Sequence, residues 1–294
     1  MTLSMQTRAI AGLRDIAADY DLILCDVWGV VHDGVAHTPS AADALMRFRG
    51  QGGKVVLLTN APRPHPTIAP MLDAFGLPRA AYDALVSSGD VTLELMVARG
   101  AAPVHHLGPE RDRSLFADAA ARLGRPVPRV GVETAGYVVC TGLFGDDDAL
   151  EPYRPTLAAM RARDLTMICA NPDIVVHTGD KLIYCAGALA QQYEEMGGKV
   201  VQAGKPHAII YRTALSVAGA LGLDTARART LAVGDGMFTD MAGAAAQGFD
   251  GLFVSGGIHR DEIGGSGGVD AAALRALAQR AGAAPRAVLP ALAW

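Results

Sequence analysis

The chain has 294 residues, half of them hydrophobic and 19% charged, which is enough for two domains of ordinary size with a substantial core. A net charge of −4 and the absence of a Lys/Arg-rich run argue against a nucleic-acid or membrane surface, and no apolar stretch is long enough to span a bilayer. The cysteines lie in or beside apolar runs without C-x-x-C spacing, which favours buried thiols in a reducing cytoplasm over a disulfide or zinc framework: Cys25, Cys140, Cys169 and Cys185.

Helix and strand signals alternate in the first and last thirds of the chain. Ile10, Leu13 and Ile16 recur at helical spacing and predict an amphipathic helix near the start. Strands are predicted at 22–26, 54–58, 230–234 and 251–254, and helices at 40–48, 66–75, 90–98, 206–221 and 239–247. This alternation predicts an α/β fold with a doubly wound parallel sheet and helices on both faces.

The middle of the chain has an alternation of its own. Strands are predicted at 103–106, 137–140 and 166–169, and helices at 113–123, 150–163 and 182–196. The pattern predicts a small α/β domain at 101–199 inserted into a core formed by 1–100 and 200–294. The Gly-rich stretch at 264–268 is typical of a surface loop.

Four short motifs occur in order, and three of them follow predicted strands. They are Cys-Asp-Val-Trp-Gly-Val at 25–30, Leu-Thr-Asn at 58–60, Gly-Lys-Pro at 204–206 and Gly-Asp-Gly-Met-Phe-Thr-Asp at 234–240. Each motif alone is also compatible with a helix cap or a turn. Together they indicate a site at the carboxyl ends of the strands, where open α/β sheets bind ligands.

The residue types in these motifs suit phosphoryl transfer. That reaction needs an in-line nucleophile and groups that stabilise the charge on the phosphoryl oxygens. Asp26 would attack and become an aspartyl-phosphate. The Thr59 hydroxyl, the Asn60 backbone N–H and Lys205 would hold the phosphoryl oxygens.

The carboxylates also suit a magnesium ion. Mg²⁺ prefers oxygen ligands in an octahedron and keeps several waters. Asp26, Asp235 and the backbone carbonyl of Trp28 would supply protein oxygens. Asp240 would lie beside the metal, orienting a water or pairing with Lys205.

The four motifs together resemble the haloacid dehalogenase superfamily, and most closely its class IIA branch of N-acetylglucosamine- and pyridoxal-phosphate-type phosphatases. That branch has D-x-D-G-V, T/S-N, G-K-P and G-D-x-x-x-T-D, with an α/β cap domain between the second and third motifs. The insertion at 101–199 matches the cap in place and size, and 171–173 (Asn-Pro-Asp) resembles a segment common in such caps. The resemblance implies a Rossmann-like core with an inserted α/β cap domain.

Trp28 departs from the pattern of the branch. The resemblance places an Asp there as the general acid and base, and such assistance is worth ~10²–10⁴ in rate. Asp33, in the loop that follows, is our candidate for a replacement acid, with His32 as a weaker one. Asp33 followed by Gly34 is also typical of a simple turn. The metal site is unaffected, because the expected ligand is the backbone carbonyl of residue 28.

Other polar residues have two interpretations each. Arg63 follows the Thr-Asn motif and could bind a substrate anion or lie in solvent. The acidic run at 146–148 could bind a second cation, but it is more typical of a solvated helix N-terminus. His105, His106 and His177 have no partners at metal-ligand spacing, so we expect structural or surface roles.

The sequence therefore predicts a cytoplasmic, Mg²⁺-dependent phosphohydrolase that acts on a small phosphate monoester such as a sugar phosphate. The alternative is a protein derived from such enzymes that binds phosphorylated metabolites with little turnover, because Trp28 replaces the general acid. Hydrolysis of a carbon–halogen bond is a third interpretation, disfavoured because Asp235 and Asp240 would repel an anionic site without a cation. The identity of the substrate and the cap residues that face it stay open, and a homodimer is suggested by analogy alone.

Overall fold

A computed structural model describes residues 7–178, 181–264 and 268–294. Two compact units are present. The first comprises the described parts of Met1–Thr59, Ala69–Val86 and Tyr211–Trp294, and the second comprises those of Asn60–Ile68 and Ser87–Ile210. These units assign 60–68, 87–100 and 200–210 differently from the domain boundaries expected from sequence. The core and cap ranges given above therefore stay a prediction.

The strands and helices are numbered in chain order. The strands are β1 (Arg8–Ala9), β2 (Leu22–Cys25), β3 (Lys54–Thr59), β4 (Ala84–Ser87), β5 (Val104–Leu107), β6 (Tyr137–Cys140), β7 (Thr166–Cys169), β8 (Val175–Thr178), β9 (Lys181–Tyr184), β10 (Lys199–Gln202), β11 (Thr230–Gly234), β12 (Asp250–Val254) and β13 (Ala287–Leu289). The helices are α1 (Pro39–Gly50), α2 (His65–Ala74), α3 (Ser88–Ala98), α4 (Ser114–Leu123), α5 (Arg154–Ala162), α6 (Ala186–Glu195), α7 (Ala208–Ala220), α8 (Ala242–Gln247) and α9 (Ala271–Ala281).

The sheet of the first unit has the strand order β1-β13-β12-β11-β2-β3-β4. The pairs from β1 through β3 are parallel, and β2 and β11 are fully buried, as expected for apolar strands covered on both faces. The direction in which successive strands are added reverses between β2 and β11. These two strands pair with Cys25 opposite Val233. The predicted doubly wound α/β fold is confirmed, and the β2–β11 seam is its topological switch point.

The second unit has its own parallel sheet in the order β10-β7-β6-β5, and an antiparallel hairpin of β8 and β9. Leu157 and Met160 of α5 and Leu189 and Tyr193 of α6 belong to its apolar core. The helix expected at 182–196 was wrong at its start, because Lys181–Tyr184 pairs with Val175–Thr178 and the helix begins only at Ala186. Of the Gly-rich loop predicted at 264–268, residues 265–267 lie outside the described part.

The amphipathic helix predicted near the start was wrong. Arg8–Ala9 is an edge strand on β13, and 3₁₀ turns follow at Leu13–Asp15 and Ala17–Asp19. Gly12 explains the difference, since a Cβ there would lie 2.3 Å from the carbonyl oxygen of Trp294. Tertiary contact with the end of the chain thus overrides the helical spacing of the apolar residues.

Two further expectations concern burial. Each of the cysteines named above is buried, and within the described part of the chain none forms a disulfide. Among the described residues, no helix combines the length and apolarity needed to cross a bilayer.

Candidate active site

Asp26 follows directly after β2, at the seam of the first sheet. Its backbone N–H donates to the Val233 carbonyl at 2.8 Å, which fixes residue 26 beside the end of β11. The N–H of Val27 donates to Asp26 Oδ1 at 2.7 Å and orients the carboxylate. Asp26 is partly exposed, so its carboxylate is accessible to a small molecule.

Asp235 follows β11 on the other side of the seam and is 7% exposed. The N–H of Ile258 donates to Asp235 Oδ2 at 2.9 Å. Glycines pack against this carboxylate from two loops: a Cβ at Gly29 or Gly257 would lie 2.2 or 2.0 Å from Oδ2. The loop after β12 was missed by sequence reasoning, and the Gly256-Gly257 pair was the signal that could have revealed it.

Asp240 lies in a single π-helical turn, Met237–Met241, that precedes α8. The N–H of Gly236 donates to Asp240 Oδ2 at 3.0 Å, and a Cβ at Gly234 would lie 2.1 Å from Asp240 Cγ. Met237 and Met241 are anchored in an apolar cluster with β12 and α9. Such turns occur frequently at functional sites, and this one holds a carboxylate that is 3% exposed.

The carboxylates of Asp26, Asp235 and Asp240 converge, each offering an oxygen within 4.8 Å of the others. At that distance each ionised pair would repel by about 3 kcal/mol at an effective dielectric constant of ~20. A bound cation relieves this repulsion. Oxygen-only donors closed in by glycines fit a hard divalent ion such as Mg²⁺, so the residues present suit the predicted metal.

The second unit joins two of the predicted motifs. The N–H of Lys205 donates to Asn60 Oδ1 at 2.8 Å, and Asn60 Nδ2 donates to the Lys205 carbonyl at 3.2 Å. Asn60 Nδ2 also donates to Asp173 Oδ1 at 2.8 Å. Gly204 is required here, since a Cβ would lie 2.3 Å from Asn60 Oδ1. Asn60 and Lys205 are 4% and 2% exposed, so the Asn60 side chain serves structure.

Two family matches cover the stretches of the chain that contain the predicted motifs. Residues 23–122 match a family described as haloacid dehalogenase-like hydrolase, and residues 202–292 match a HAD-hydrolase-like family. A haloacid dehalogenase-like hydrolase from Brucella suis 1330 is 41% identical, covering 96% of this chain and 98% of its own, with a TM-score of 0.81. The chain belongs to the haloacid dehalogenase-like hydrolase family. The family predicted from the four motifs is confirmed, and its class IIA branch stays a prediction.

Other solved structures share the fold of this hydrolase. A glycerol phosphate phosphatase from Mycobacterium tuberculosis, in complex with calcium, is 25% identical, covering 85% of this chain and 70% of its own, with a TM-score of 0.63. A possible sugar phosphatase from Cytophaga hutchinsonii is 20% identical, covering 97% and 98%, with a TM-score of 0.74. The latter likeness shows the fold alone. No curated protein matched the chain.

Trp28 of this haloacid dehalogenase-like hydrolase is partly exposed and packs within its own loop. Its indole meets the His32 ring edge-on, with centroids 4.9 Å apart and an interplanar angle of 78°. A Cβ at Gly34 would lie 2.6 Å from the indole Cη2, so the ring rests on the Gly34 backbone. The N–H of Gly29 donates to the His32 carbonyl at 2.9 Å and closes the loop. The indole is thus held in place.

His32 is only 2% exposed. Burial lowers the pKa of His32 to about 4, despite the nearby Asp33 charge, so the ring is neutral at pH 7. The N–H of Gly34 donates to Nδ1 at 2.9 Å, which places the single ring proton on Nε2. The imidazole also packs on Phe75, with centroids 5.0 Å apart. The geometry gives His32 a structural role.

Asp33 is exposed and caps a turn. Its Oδ1 accepts from the N–H groups of Val35 and Ala36 at 2.9 and 3.0 Å. These backbone hydrogen bonds lower the pKa of Asp33, so the carboxyl is ionised at neutral pH. The turn expected from Asp33-Gly34 is therefore present, and a role of Asp33 as general acid stays a prediction.

Arg63 lies in the second unit, 4.0 Å from the buried Asp112. Burial raises the pKa of Asp112, while hydrogen bonding to Thr141 and the charge of Arg63 oppose that rise. The Arg63 carbonyl accepts from Ser87 Oγ at 2.8 Å. The backbone of this residue is thus fixed, and its binding of a substrate anion stays a prediction.

The predicted site residues thus fall into two groups in the described chain. The first unit brings together Asp26, Asp235 and Asp240 and places Thr59, which is 6% exposed, at the end of β3. The second unit holds Asn60, Lys205 and Arg63. In the acidic run at 146–148, Asp146 pairs with Arg111 at 2.6 Å, and Asp148 caps Gly145 at 2.9 Å, which are the roles of a surface turn.

Proposed function

We propose that this haloacid dehalogenase-like hydrolase is a Mg²⁺-dependent phosphohydrolase of small phosphate monoesters, such as sugar phosphates. The observation that carries the proposal is the convergence of the Asp26, Asp235 and Asp240 carboxylates at the switch point of the sheet. The phosphatases named among its structural relatives support the same reaction class.

Asp26, Asp235 and Asp240 would hold the metal, with the Trp28 carbonyl as a further ligand. When bound, Mg²⁺ supplies positive charge against the phosphoryl oxygens. Thr59, the backbone N–H of Asn60, Lys205 and Arg63 are the groups that we assign to the phosphate and the rest of the substrate anion. Lys205 supplies a fixed cationic charge, which suits recognition of a phosphoryl group.

In the first step, an oxygen of the Asp26 carboxylate attacks phosphorus. The bond from phosphorus to the leaving oxygen breaks, and that oxygen takes the electron pair. In the second step, water attacks the phosphorus of the aspartyl-phosphate, releasing inorganic phosphate and the Asp26 carboxylate. The hydrogen bond from Val27 to Asp26 Oδ1 holds the carboxylate in one orientation during attack.

Trp28 determines which substrates react well. An indole cannot protonate the leaving oxygen, so the leaving group departs as an anion unless Asp33, our candidate acid, or water supplies a proton. Substrates with acidic leaving groups, such as aryl phosphates, should therefore turn over faster than alkyl phosphates.

The test is hydrolysis of p-nitrophenyl phosphate and of a panel of sugar phosphates, with Mg²⁺ and with EDTA. We expect metal-dependent turnover that is lost in Asp26→Asn and in Asp235→Asn. Asp43→Asn is the matched control and should keep full activity, because this half-exposed carboxylate on α1 pairs only with Arg47 among the described residues. Full activity of Asp26→Asn, or turnover unaffected by EDTA, would overturn the proposal.

The second candidate function is binding of a phosphorylated metabolite with little turnover. The packing of Trp28 against His32 and Gly34 favours it, because this loop is built around an indole. A native protein that binds inorganic phosphate with Mg²⁺ but hydrolyses nothing, while Trp28→Asp gains activity, would establish this function. Cytoplasmic location and a homodimer stay predictions.

A further inference from the structure

The second unit contains a cleft of about 600 Å³ at the carboxyl end of β5. Its wall includes His105, His106, Arg113, Arg129 and Phe144. The segment around residue 129 runs beside β5, with the Val130 N–H donating to the Val104 carbonyl at 2.9 Å. The volume lies in the range of small-molecule sites, and the carboxyl edge of a parallel sheet is a common place for them.

The cleft has an excess of positive charge. Arg113 pairs with the exposed Glu110, another residue of the wall. Arg129 is exposed, and among the described residues no carboxylate lies within ion-pair distance of it. Its guanidinium lies over the Phe116 ring, 5.7 Å from the centroid. Arg129 is therefore a cation positioned by an aromatic ring and, in the described part of the chain, not paired with a carboxylate.

His106 gives the cleft a fixed polar wall. Its Nε2 is 3.0 Å from Thr141 Oγ1, and its ring meets Phe116 edge-on at 4.8 Å. Burial, followed by the charges of Arg113 and Arg129, lowers the pKa of His106 to about 4. The imidazole is neutral at pH 7, so the positive charge of the wall resides on the arginines.

Phe144 gives the cleft an apolar side. The side chain is 59% exposed, which is unusual for a large apolar ring. One face stacks on Tyr153, with centroids 5.3 Å apart and an interplanar angle of 29°. A planar group placed against Phe144 would remove apolar surface from water, and ring pairs are favourable beyond that burial.

We propose that this cleft binds a small anionic metabolite with a planar ring, its phosphate or carboxylate at Arg113 and Arg129 and its ring against Phe144. Both anions accept the forked hydrogen bonds of a guanidinium, so arginine chemistry alone does not choose between them. The site is formed entirely by residues of the second unit, and the inference does not depend on hydrolysis at Asp26.

The experiment measures binding by calorimetry in EDTA, using the full chain carrying Asp26→Asn. The probes are AMP, indole-3-acetate, ribose 5-phosphate and adenosine. The first two carry both a ring and an anion, whereas each of the others lacks one. We expect AMP or indole-3-acetate to bind, and both incomplete probes to bind at least tenfold more weakly; the stronger of the first two identifies the anion.

Variants locate the site. Arg129→Gln should weaken binding about tenfold, whereas Arg125→Gln, an exposed arginine on the same segment, should leave it unchanged. Phe144→Ala should reduce affinity for AMP toward that for ribose 5-phosphate. Proton NMR of the histidine ring protons should show His105 and His106 shifting on titration.

Two outcomes would overturn the proposal. One is the absence of binding by AMP and by indole-3-acetate at millimolar concentration. The other is binding that Arg129→Gln and Phe144→Ala leave unchanged, since the ligand would then lie elsewhere on the protein. Neither outcome bears on the phosphohydrolase, which is tested by turnover with Mg²⁺.

Discussion

Asn60 and Lys205 are 145 residues apart in the chain, yet the side-chain amide of one hydrogen-bonds both the N–H and the carbonyl of the other. The Asn60 side chain therefore acts as a clamp, since it joins the Thr-Asn motif to the Gly-Lys-Pro motif, which lies far away in the sequence. The lysine that we assign to the phosphate is positioned by this clamp. The Asn of the Thr-Asn motif is thus required for its side chain as well as for its backbone.

Replacing Asn60 with Ala should destabilise the protein by about 1–3 kcal/mol, because buried backbone groups of Lys205 lose their partner. Urea unfolding of Asn60→Ala and of Asn171→Ala provides the comparison. Asn171 is partly exposed and its Oδ1 accepts from the Asp173 N–H at 3.1 Å, so its loss should cost less. Equal losses of unfolding free energy in the two variants would show that the clamp adds nothing.

Replacing Gly257 with Ala should weaken the binding of Mg²⁺, since the new Cβ would lie 2.0 Å from Asp235 Oδ2 and must displace that carboxylate. We expect at least a tenfold rise in the Mg²⁺ concentration needed for half-maximal activity, or in the calorimetric Kd. Gly219→Ala is the matched control, because no atom lies near its Cβ position on α7. It should keep metal affinity and gain up to about 1 kcal/mol in stability. A native Mg²⁺ affinity in Gly257→Ala would show that the packing of Gly257 against Asp235 does not position the metal ligand.

Stability should fall on mild acidification because of His32. Burial lowers the pKa of His32 from 6.5 to about 4, so the unfolded chain binds this proton more readily than the folded protein. The contribution is complete above pH 6.5 and is lost as the pH falls toward 4, with an upper limit of roughly 3 kcal/mol. The free energy of unfolding of His32→Asn, whose side chain can still accept from Gly34, should depend less on pH in that window. A His32→Asn profile parallel to the native one would argue against the shift.

Replacing Gly34 with Ala should destabilise the Trp28 loop for two reasons. Residue 34 has a φ of +93°, which is strained for Ala, and the added methyl would meet the indole at 2.6 Å. Gly52→Ala isolates the strain, because Gly52 has a φ of +94° with nothing near its Cβ position. Thermal unfolding should show a larger loss for Gly34→Ala, and the excess should vanish when Trp28→Ala is added. An excess that persists would mean that the indole is not the obstructing group.

The convergence of the three carboxylates was predictable because two simple rules combine there. Apolar runs ending in Asp26 and Asp235 indicate buried parallel strands, and parallel strands place the residues after them at the same edge. Local spacing then adds Asp240, whose carboxylate reaches back to the Gly236 N–H. Nothing beyond alternation and residue type was needed.

The rest depends on contacts that the sequence does not encode locally. The loop carrying Gly257 and Ile258 reaches Asp235 only because β12 lies beside β11. Asp173 accepts a hydrogen bond from Asn60, which lies more than a hundred residues away in the sequence, so no short motif predicts this contact. His32, like the early segment around Gly12, takes its role from tertiary packing that overrides local pattern.

The pairing of β2 with β11 also determines when, during synthesis, the carboxylate cluster of this hydrolase can form. Asp26 and Asp235 are neighbours in space but more than two hundred residues apart in the chain. During synthesis, β2 and β3 can pair early, whereas the carboxylate cluster cannot assemble until β11 has emerged. If a divalent ion binds at this seam as proposed, it binds only chains in which β11 has joined the sheet. At a hundred times its Kd the ion would add about 2.7 kcal/mol to the stability of those chains, so that metal binding would select for completed folding.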